Sequence, residues 1–147
     1  MAALLGRARI HGIYDTQSLS MDTAEANFLS LQSQPLVRYN DLSSACNDPA
    51  ADALLICTPN HTHSDVLRTA MQSNKPIFLE KPMATELQDA AEIVRANEAY
   101  ESFIQIGLQY RYKPQYLEAF REALDNRALG QIKTCLLYTS DAADDTC

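Results

Sequence analysis

The 147-residue sequence has no tryptophan, only four glycines, and no apolar run that approaches a membrane span. Crossing a bilayer takes about 20 apolar residues in succession, so no transmembrane segment is expected. The N-terminus also lacks the apolar core of a secretion signal. The four cysteines, Cys46, Cys57, Cys135 and Cys147, include no CxxC pair, which argues against both a zinc site and a disulfide framework. Basic residues are outnumbered, 12 Lys and Arg against 19 Asp and Glu, for a formal charge of −7. Nucleic-acid binding draws on clustered Lys and Arg, so no nucleic-acid partner is expected. What remains, 46% hydrophobic and 21% charged, is ordinary globular composition. The chain is long enough for one domain with a real core. A soluble, cytoplasmic α/β domain is the expectation.

Strand-like and helix-like segments alternate every ~20–25 residues, without internal repeat or low-complexity linker, which argues for βαβ units and a parallel sheet. Residues 1–5 favour a helix but are too short to form one alone, and Gly6 stands where helices often end. The chain is therefore expected to open inside a helix's last turn. Residues 9–14 form a strand that stops at Asp15. Residues 21–31 form a helix with Ala24, Phe28 and Leu31 on one face, and 36–39 a short strand. Asp41 is placed to cap a helical turn through Cys46, and Asn47-Asp48-Pro49 is a turn.

In residues 53–58, Leu54 to Cys57 are apolar in unbroken succession, the pattern of a strand buried on both faces. Pro59 ends it, and Thr62 is expected to cap a helix with Val66, Leu67, Ala70 and Met71 on one face. Asn74, tolerant of the left-handed conformation, turns the chain back. Residues 77–79 form the next buried strand. Thr85 and Gln88 form a capping-box pattern, opening a helix to about Tyr100 with Leu87, Ala90, Ala91 and Val94 inward. Residues 103–107 form a further strand, in which Gly107 implies a close backbone approach. Pro114 suits a helix's first turn, with Leu117, Phe120 and Leu124 inward. Residues 126–130 end that helix, and a new strand is expected from Gln131 onward.

Two polar turns then fall at the C-terminal ends of neighbouring parallel strands, where open α/β sheets hold ligands. The first is Thr58-Pro59-Asn60-His61-Thr62-His63 and the second Glu80-Lys81-Pro82. A Lys emerging from a buried strand into a desolvated cleft can present three donors and take part in proton transfer. Glu80 can accept from a hydroxyl or hold the ammonium, and Pro82 restricts Lys81 to extended geometry. The alternative is a solvated ion pair on an ordinary loop. Histidines at i, i+2 on a turn are not a metal-ligand spacing, so no metal is expected, whereas contact with a cofactor or substrate is open to either. His11, within a strand, reads as structural. Asp15 either accepts from a ribose diol or caps the next helix. Gln109 and Arg111, beside Tyr110, could bind an anionic or hydroxylated ligand, or could make surface ion pairs.

TPNHTH, then EKPM some twenty residues on, then GLQYRYKPQY and a helix closing with ALGQI, together resemble the Gfo/Idh/MocA family of NAD(P)-dependent oxidoreductases. The resemblance covers roughly residues 1–134 and implies a Rossmann-type, doubly wound parallel sheet. It implies NAD as cofactor, with NADP as the alternative, and a sugar or polyol as substrate. Residue by residue, Asp15 matches the acid that meets the adenosine ribose. Thr58, Pro59, Asn60 and His63 match the loop along the nicotinamide half. Glu80 matches the acid at the nicotinamide ribose, and Lys81 the lysine that places or polarises the substrate hydroxyl. In such enzymes hydride passes from a carbinol carbon to the nicotinamide while a His, often with an Asp, takes the proton. An NAD-dependent glycoside hydrolase, or a non-catalytic cofactor-binding regulator, would share these motifs.

The family's opening strand and G-x-G-x-x-G turn, which hold the pyrophosphate, have no counterpart among the four glycines. The resemblance thus implies an incomplete sheet lacking its first strand, with that strand upstream and Met1 an internal codon. It also implies that the second domain, which carries the catalytic His, the substrate pocket and the surface used to form homo-oligomers, is absent. Residues 135–145, CLLYTSDAADD, resemble the in-frame translation of a sequencing adaptor and are expected to be a non-native tail, running on to 147. Setting aside its three acids (Asp141, Asp144, Asp145) leaves 16 acids against 12 bases, a charge of −4. The expectation is an inactive fragment of an active parent.

Overall fold

The computed structural model describes residues 7–30, 34–131 and 133. The expected helix tail at 1–5 with Gly6, the helix end at Leu31, and the tail from Cys135 lie outside them. So does nearly all of the strand expected from Gln131. The chain divides into two compact units, Met1–Gly107 and Leu108–Cys147.

The first unit runs β1 (Gly12–Ile13), α1 (Ser18–Leu29), β2 (Val37–Arg38), α2 (Leu42–Asn47), β3 (Leu54–Ile56), α3 (His63–Met71), β4 (Ile77–Leu79), α4 (Leu87–Asn97) and β5 (Ile104–Ile106). All pairings are parallel, but among the described residues they form two sheets, β1-β2 and β3-β4-β5. Parallel neighbours joined by helices are what the strand–helix beat calls for. The β1 strand is shorter than the expected 9–14; its ladder is completed by Val37 N–H to the His11 carbonyl (3.0 Å) and Tyr39 N–H to that of Ile13 (3.1 Å).

The core lies on one face of β3-β4-β5. Rows Leu54-Ile77-Ile104 and Ile56-Leu79-Ile106 point to the helices, where Ile56, Ile77 and Leu79 cluster with Cys46 of α2, Leu67 and Ala70 of α3, and Ile93 of α4. The alternate row is Leu55-Phe78-Gln105, and Leu55 is 63% exposed. The expectation that β3 is buried on both faces is therefore corrected. Successive strand side chains face opposite ways, and only one face of this strand meets a helical layer among the described residues.

Local chemistry explains several element ends. Asp41 caps α2, its carboxylate accepting from Ser44 N–H at 2.8 Å. Asn74 takes φ 54° beyond α3, the left-handed turn expected of it. Two capping expectations fail. The Thr62 hydroxyl donates to the Pro59 carbonyl (2.8 Å) and makes no cap bond to α3. The box of Thr85 and Gln88 does not form either: α4 starts at Leu87 with Glu86 before it and no side-chain cap. The Gln88 amide instead donates to Glu92 at 3.3 Å. The buried face of α4 is also rotated from the expected one. Leu87 is 87% and Val94 56% exposed, while Ile93 is buried. Asp89 explains the rotation, because it accepts from Arg68 (2.8 Å) and Ser64 (3.0 Å) and turns its own side of the helix toward α3.

In the second unit a 3₁₀ turn, Gln109–Tyr112, leads into α5 (Pro114–Phe120), with Pro114 in its first turn, and a π-helical turn, Arg121–Asp125. Leu117, Phe120 and Leu124 are exposed, so their expected inward orientation is corrected: no apolar layer covers them among the described residues. No helix among the described residues is long and apolar enough to cross a membrane.

Candidate functional site

Strands β3 and β4 pair in register, Ile56 opposite Leu79, so the chain leaves both at the same edge. The Glu80 N–H donates to the Ile56 carbonyl at 2.9 Å and extends the ladder one step. The Thr58-Pro59-Asn60 turn and the Glu80-Lys81-Pro82 turn therefore lie side by side. Sequence spacing alone predicted that juxtaposition, because a βαβ unit returns its second strand beside the first.

His63 joins the two turns. It is the first residue of α3 and fully buried. Its Nδ1 lies 2.6 Å from the Pro82 carbonyl oxygen and its Nε2 2.8 Å from that of Thr58. Both ring nitrogens are thereby committed to main chain, so the ring itself has no polar atom left to offer a ligand. Pro59, Asn60 and His61 are exposed at the turn.

Thr58 carries the one buried side-chain polar atom without a hydrogen-bond partner among the described residues, its Oγ1. A buried unpaired hydroxyl is costly, and the group that satisfies it is commonly a ligand or a water. Glu80 is partly buried and turns its carboxylate back, Oε2 accepting from the Lys81 N–H at 3.2 Å. The room for it is made by Gly107 on β5. A Cβ there would meet Glu80 Oε2 at 2.7 Å, Glu80 Cδ at 3.2 Å and Phe78 Cζ at 3.2 Å. The close approach expected at Gly107 is thus to a carboxylate, a partner that the sequence did not indicate. Cys57 is exposed as a residue, yet burial around its sulfur, and then the Glu80 charge, holds its thiol above the ordinary range. A thiol so held is a poor nucleophile.

Lys81 is exposed, which corrects the expectation that it emerges into a desolvated cleft. No element among the described residues covers this turn. The Lys81–Pro82 peptide is cis. Asp15 is exposed beyond β1, and its Oδ1 accepts from the Gln17 N–H at 2.8 Å, an Asx turn leading into α1. This is a turn role, but not the helix cap weighed for it, since α1 has Gln17 at its N-cap and no side-chain cap bond; it leaves the carboxylate at the surface. Gln109 and Arg111 belong to the second unit, both exposed on the 3₁₀ turn. Beside them Tyr110 stacks at 54° on Tyr116, centroids 5.4 Å apart, with Lys113 Nζ 4.2 Å from the Tyr110 centroid. No group of three or more His, Cys, Asp or Glu among the described residues is arranged to hold a metal ion.

The edge of the first unit thus presents a carboxylate, a buried unpaired hydroxyl and two turns side by side. A family model described as the oxidoreductase family with NAD-binding Rossmann fold matches residues 2–108. The chain is 32% identical over 116 residues to inositol 2-dehydrogenase of Paracoccus denitrificans, covering 78% of this chain and 33% of that protein. It is 30% identical over 125 residues to that of an Arthrobacter species, covering 84% and 37%. It thus spans about a third of the length of the relatives it matches. Among solved structures, myo-inositol dehydrogenase of Lactobacillus casei, in complex with NAD(H) and myo-inositol, superposes with a TM-score of 0.75 at 29% identity, covering 86% of this chain and 36% of that one. The WlbA dehydrogenase of Bordetella pertussis, in complex with NADH and UDP-GlcNAcA, gives a TM-score of 0.72 at 26% identity, covering 85% and 34%.

Proposed function

Because the chain belongs to the oxidoreductase family with the NAD-binding Rossmann fold, we propose that it forms one wall of the coenzyme site of a longer dehydrogenase. That enzyme moves hydride between a polyol or sugar carbinol carbon and NAD. The observation that carries the reading is the juxtaposition of the Thr58 and Glu80-Lys81-Pro82 turns on the edge of β3 and β4. Inositol-type polyols are the proposed substrates, on the strength of the relatives named inositol 2-dehydrogenase.

Within this reading Asp15, at the end of β1, accepts from the adenosine ribose diol. A carboxylate there repels a 2′-phosphate, which favours NAD over NADP. Thr58, Pro59 and Asn60 lie along the nicotinamide half, with the Thr58 hydroxyl gaining the partner it lacks. Glu80, seated against Gly107, accepts from the nicotinamide ribose. Lys81 donates to the substrate oxygen and stabilises charge that develops there as the hydroxyl proton leaves. When bound, NAD supplies the electrophilic ring carbon that accepts hydride. The pyrophosphate-binding turn and the proton acceptor come from outside residues 1–134, and residues 135–147 have no part in the site.

Steady-state kinetics of the full-length gene product with NAD and myo-inositol test the reading. Lys81→Met is expected to lower kcat by about 10²–10⁴-fold, the usual contribution of a positioned proton-handling group. A variant with unchanged kcat would remove Lys81 from the mechanism. The 147-residue chain alone is expected neither to bind NAD tightly nor to reduce it, and measurable turnover of any polyol by it would overturn the partial-site assignment.

A further inference from the structure

In the coenzyme reading above, one dinucleotide meets two sheets. Asp15, at the adenosine ribose, stands two residues past β1, and Thr58, at the nicotinamide half, two residues past β3. Among the described residues no strand pairing joins β1-β2 to β3-β4-β5. Within them, the separation of the two half-sites is set by contacts other than the strand ladder.

Asp48 stands where those contacts meet. Its Oδ2 faces the two-stranded sheet, accepting from the Tyr39 hydroxyl at 2.5 Å and lying 3.2 Å from His11 Nε2. A neutral His11 ring with its proton on Nε2 donates there, so no ring charge is required. The rest of the residue serves the three-stranded sheet. Oδ1 accepts from the Ala50 N–H at 2.8 Å, and the main-chain carbonyl from the Ala51 N–H at 3.1 Å, which fixes the turn leading into β3. The same carbonyl accepts from Lys75 Nζ, two residues ahead of β4. Tyr39 reaches Asp48 because Gly12 on β1 leaves the path open. A Cβ at Gly12 would meet Tyr39 Cε2 at 2.5 Å and the Tyr39 hydroxyl oxygen at 2.9 Å. Hydrogen bonds to a carboxylate are the stronger kind, so this side chain is suited to hold two sheets at a set distance.

We propose that Asp48 is a positioning residue for the coenzyme, fixing the separation between the Asp15 edge of one sheet and the Thr58 edge of the other. The role rests on the coenzyme reading given above, and Asp48 itself touches no ligand. Once one half of a dinucleotide is bound, the other binds as a tethered group. Its effective concentration depends on how well the two half-sites match the span between the halves. Loosening their separation lowers that advantage and leaves each half-site as it was.

Calorimetric titration of the full-length enzyme with NAD and with AMP tests this, because AMP fills the adenosine half alone. In Asp48→Asn, which keeps the shape of the side chain, Kd for NAD is expected to rise about three- to tenfold, the range of one lost net hydrogen bond, while that for AMP stays within about twofold. Tyr39→Phe removes one donor hydroxyl and keeps the ring over Gly12. It should show the same pattern, and it carries the test if Asp48→Asn fails to fold. An equal rise for NAD and AMP would overturn the proposal, since a merely structural role loosens the adenosine half as well. No change in either would also overturn it, and would mean that main chain from outside residues 1–134 holds the two edges apart. Both of those results leave the coenzyme reading standing. If wild-type enzyme binds neither NAD nor AMP, the coenzyme reading fails and the positioning role goes with it.

Discussion

Gly107 shows how one missing side chain can be read as chemistry. Its place on β5 is fixed by its N–H donating to the Leu79 carbonyl at 2.8 Å, and a Cβ would fall within 2.7 Å of the Glu80 carboxylate. Gly107→Ala is therefore expected to push that carboxylate out of its seat at a cost of about 1–3 kcal/mol, the range for overpacking a filled site. Chemical denaturation measures the loss of stability. In the full-length enzyme, the KM for NAD should rise in parallel, and an alanine variant that matches wild type in both would remove the cradle. Single-residue backbone constraints of this kind were legible beforehand. Asn74 and Asp41 behave as read, because φ and a first-turn cap are set within a few residues; Gly107 makes the close approach read for it, but to Glu80 beyond the neighbouring strand, a partner that local sequence does not name. Thr62 and Thr85 were misread for the opposite reason. The Thr62 hydroxyl had a rival acceptor in the Pro59 carbonyl, and α4 begins at Leu87 rather than just after Thr85; local sequence does not decide either.

At the scale of elements, α3 is the organising helix. Leu67 is fully buried against the sheet, and Arg68 faces α4, where it donates to Asp89 (2.8 Å) and Glu92 (3.0 Å) as well as to its own helix's Asp65 (2.8 Å). The hydrogen bond from Arg68, then that from Ser64, holds the Asp89 carboxyl below its ordinary range. The two residues differ in weight. Leu67→Ala removes packing that water cannot replace and is expected to cost about 2–5 kcal/mol. Arg68→Ala should cost much less than Leu67→Ala, because its side chain is 42% exposed and its ion pairs are screened. Urea melts of the two variants would show this ranking, and a larger loss for Arg68 would mean that the ion-pair network rather than the apolar face holds α3 to α4. The inward face of α3 was legible from its spacing, whereas that of α4 was not. Leu87 and Val94 gave an apolar stripe, but Asp89 pairs across to α3 and sets the rotation, and a pairing between helices is invisible to a periodicity count.

At the scale of the molecule, the described residues of the first unit form two sheets, β1-β2 and β3-β4-β5, and polar side chains help to bridge the segments between them. The Tyr39 hydroxyl donates to Asp48 Oδ2 at 2.5 Å, His11 Nε2 lies 3.2 Å from the same oxygen, and the Ala50 N–H donates to Oδ1 at 2.8 Å. Lys75 donates to the Asp48 carbonyl, and Tyr100 to that of Lys75. His11 and Tyr39 flank the paired residues of β1 and β2, whereas Asp48 and Lys75 precede β3 and β4, so this cluster joins the small sheet to the large one. The Tyr39 hydrogen bond, then the Ala50 N–H and His11, holds the Asp48 carboxyl down from 3.8 to about 2. Burial, then Asp48, pushes the Tyr39 hydroxyl from 10.0 up to about 12. A depressed carboxyl stabilises fully above its unfolded value and loses that contribution as pH falls through the folded one. A raised hydroxyl stabilises below 10.0 and loses its contribution as pH rises through about 12. The junction is thus expected to hold from roughly pH 4 to pH 10 and to weaken between about 3.8 and 2. Native-state hydrogen exchange resolves this. As pH is lowered through that window, and after correction for intrinsic rates, the Val37 and Tyr39 amides of the small sheet should lose protection before the Glu80 and Gly107 amides of the large one. Asp48→Asn should show the same selective loss at neutral pH. Simultaneous loss in both sheets would mean that they unfold as one unit and that Asp48 does not join them.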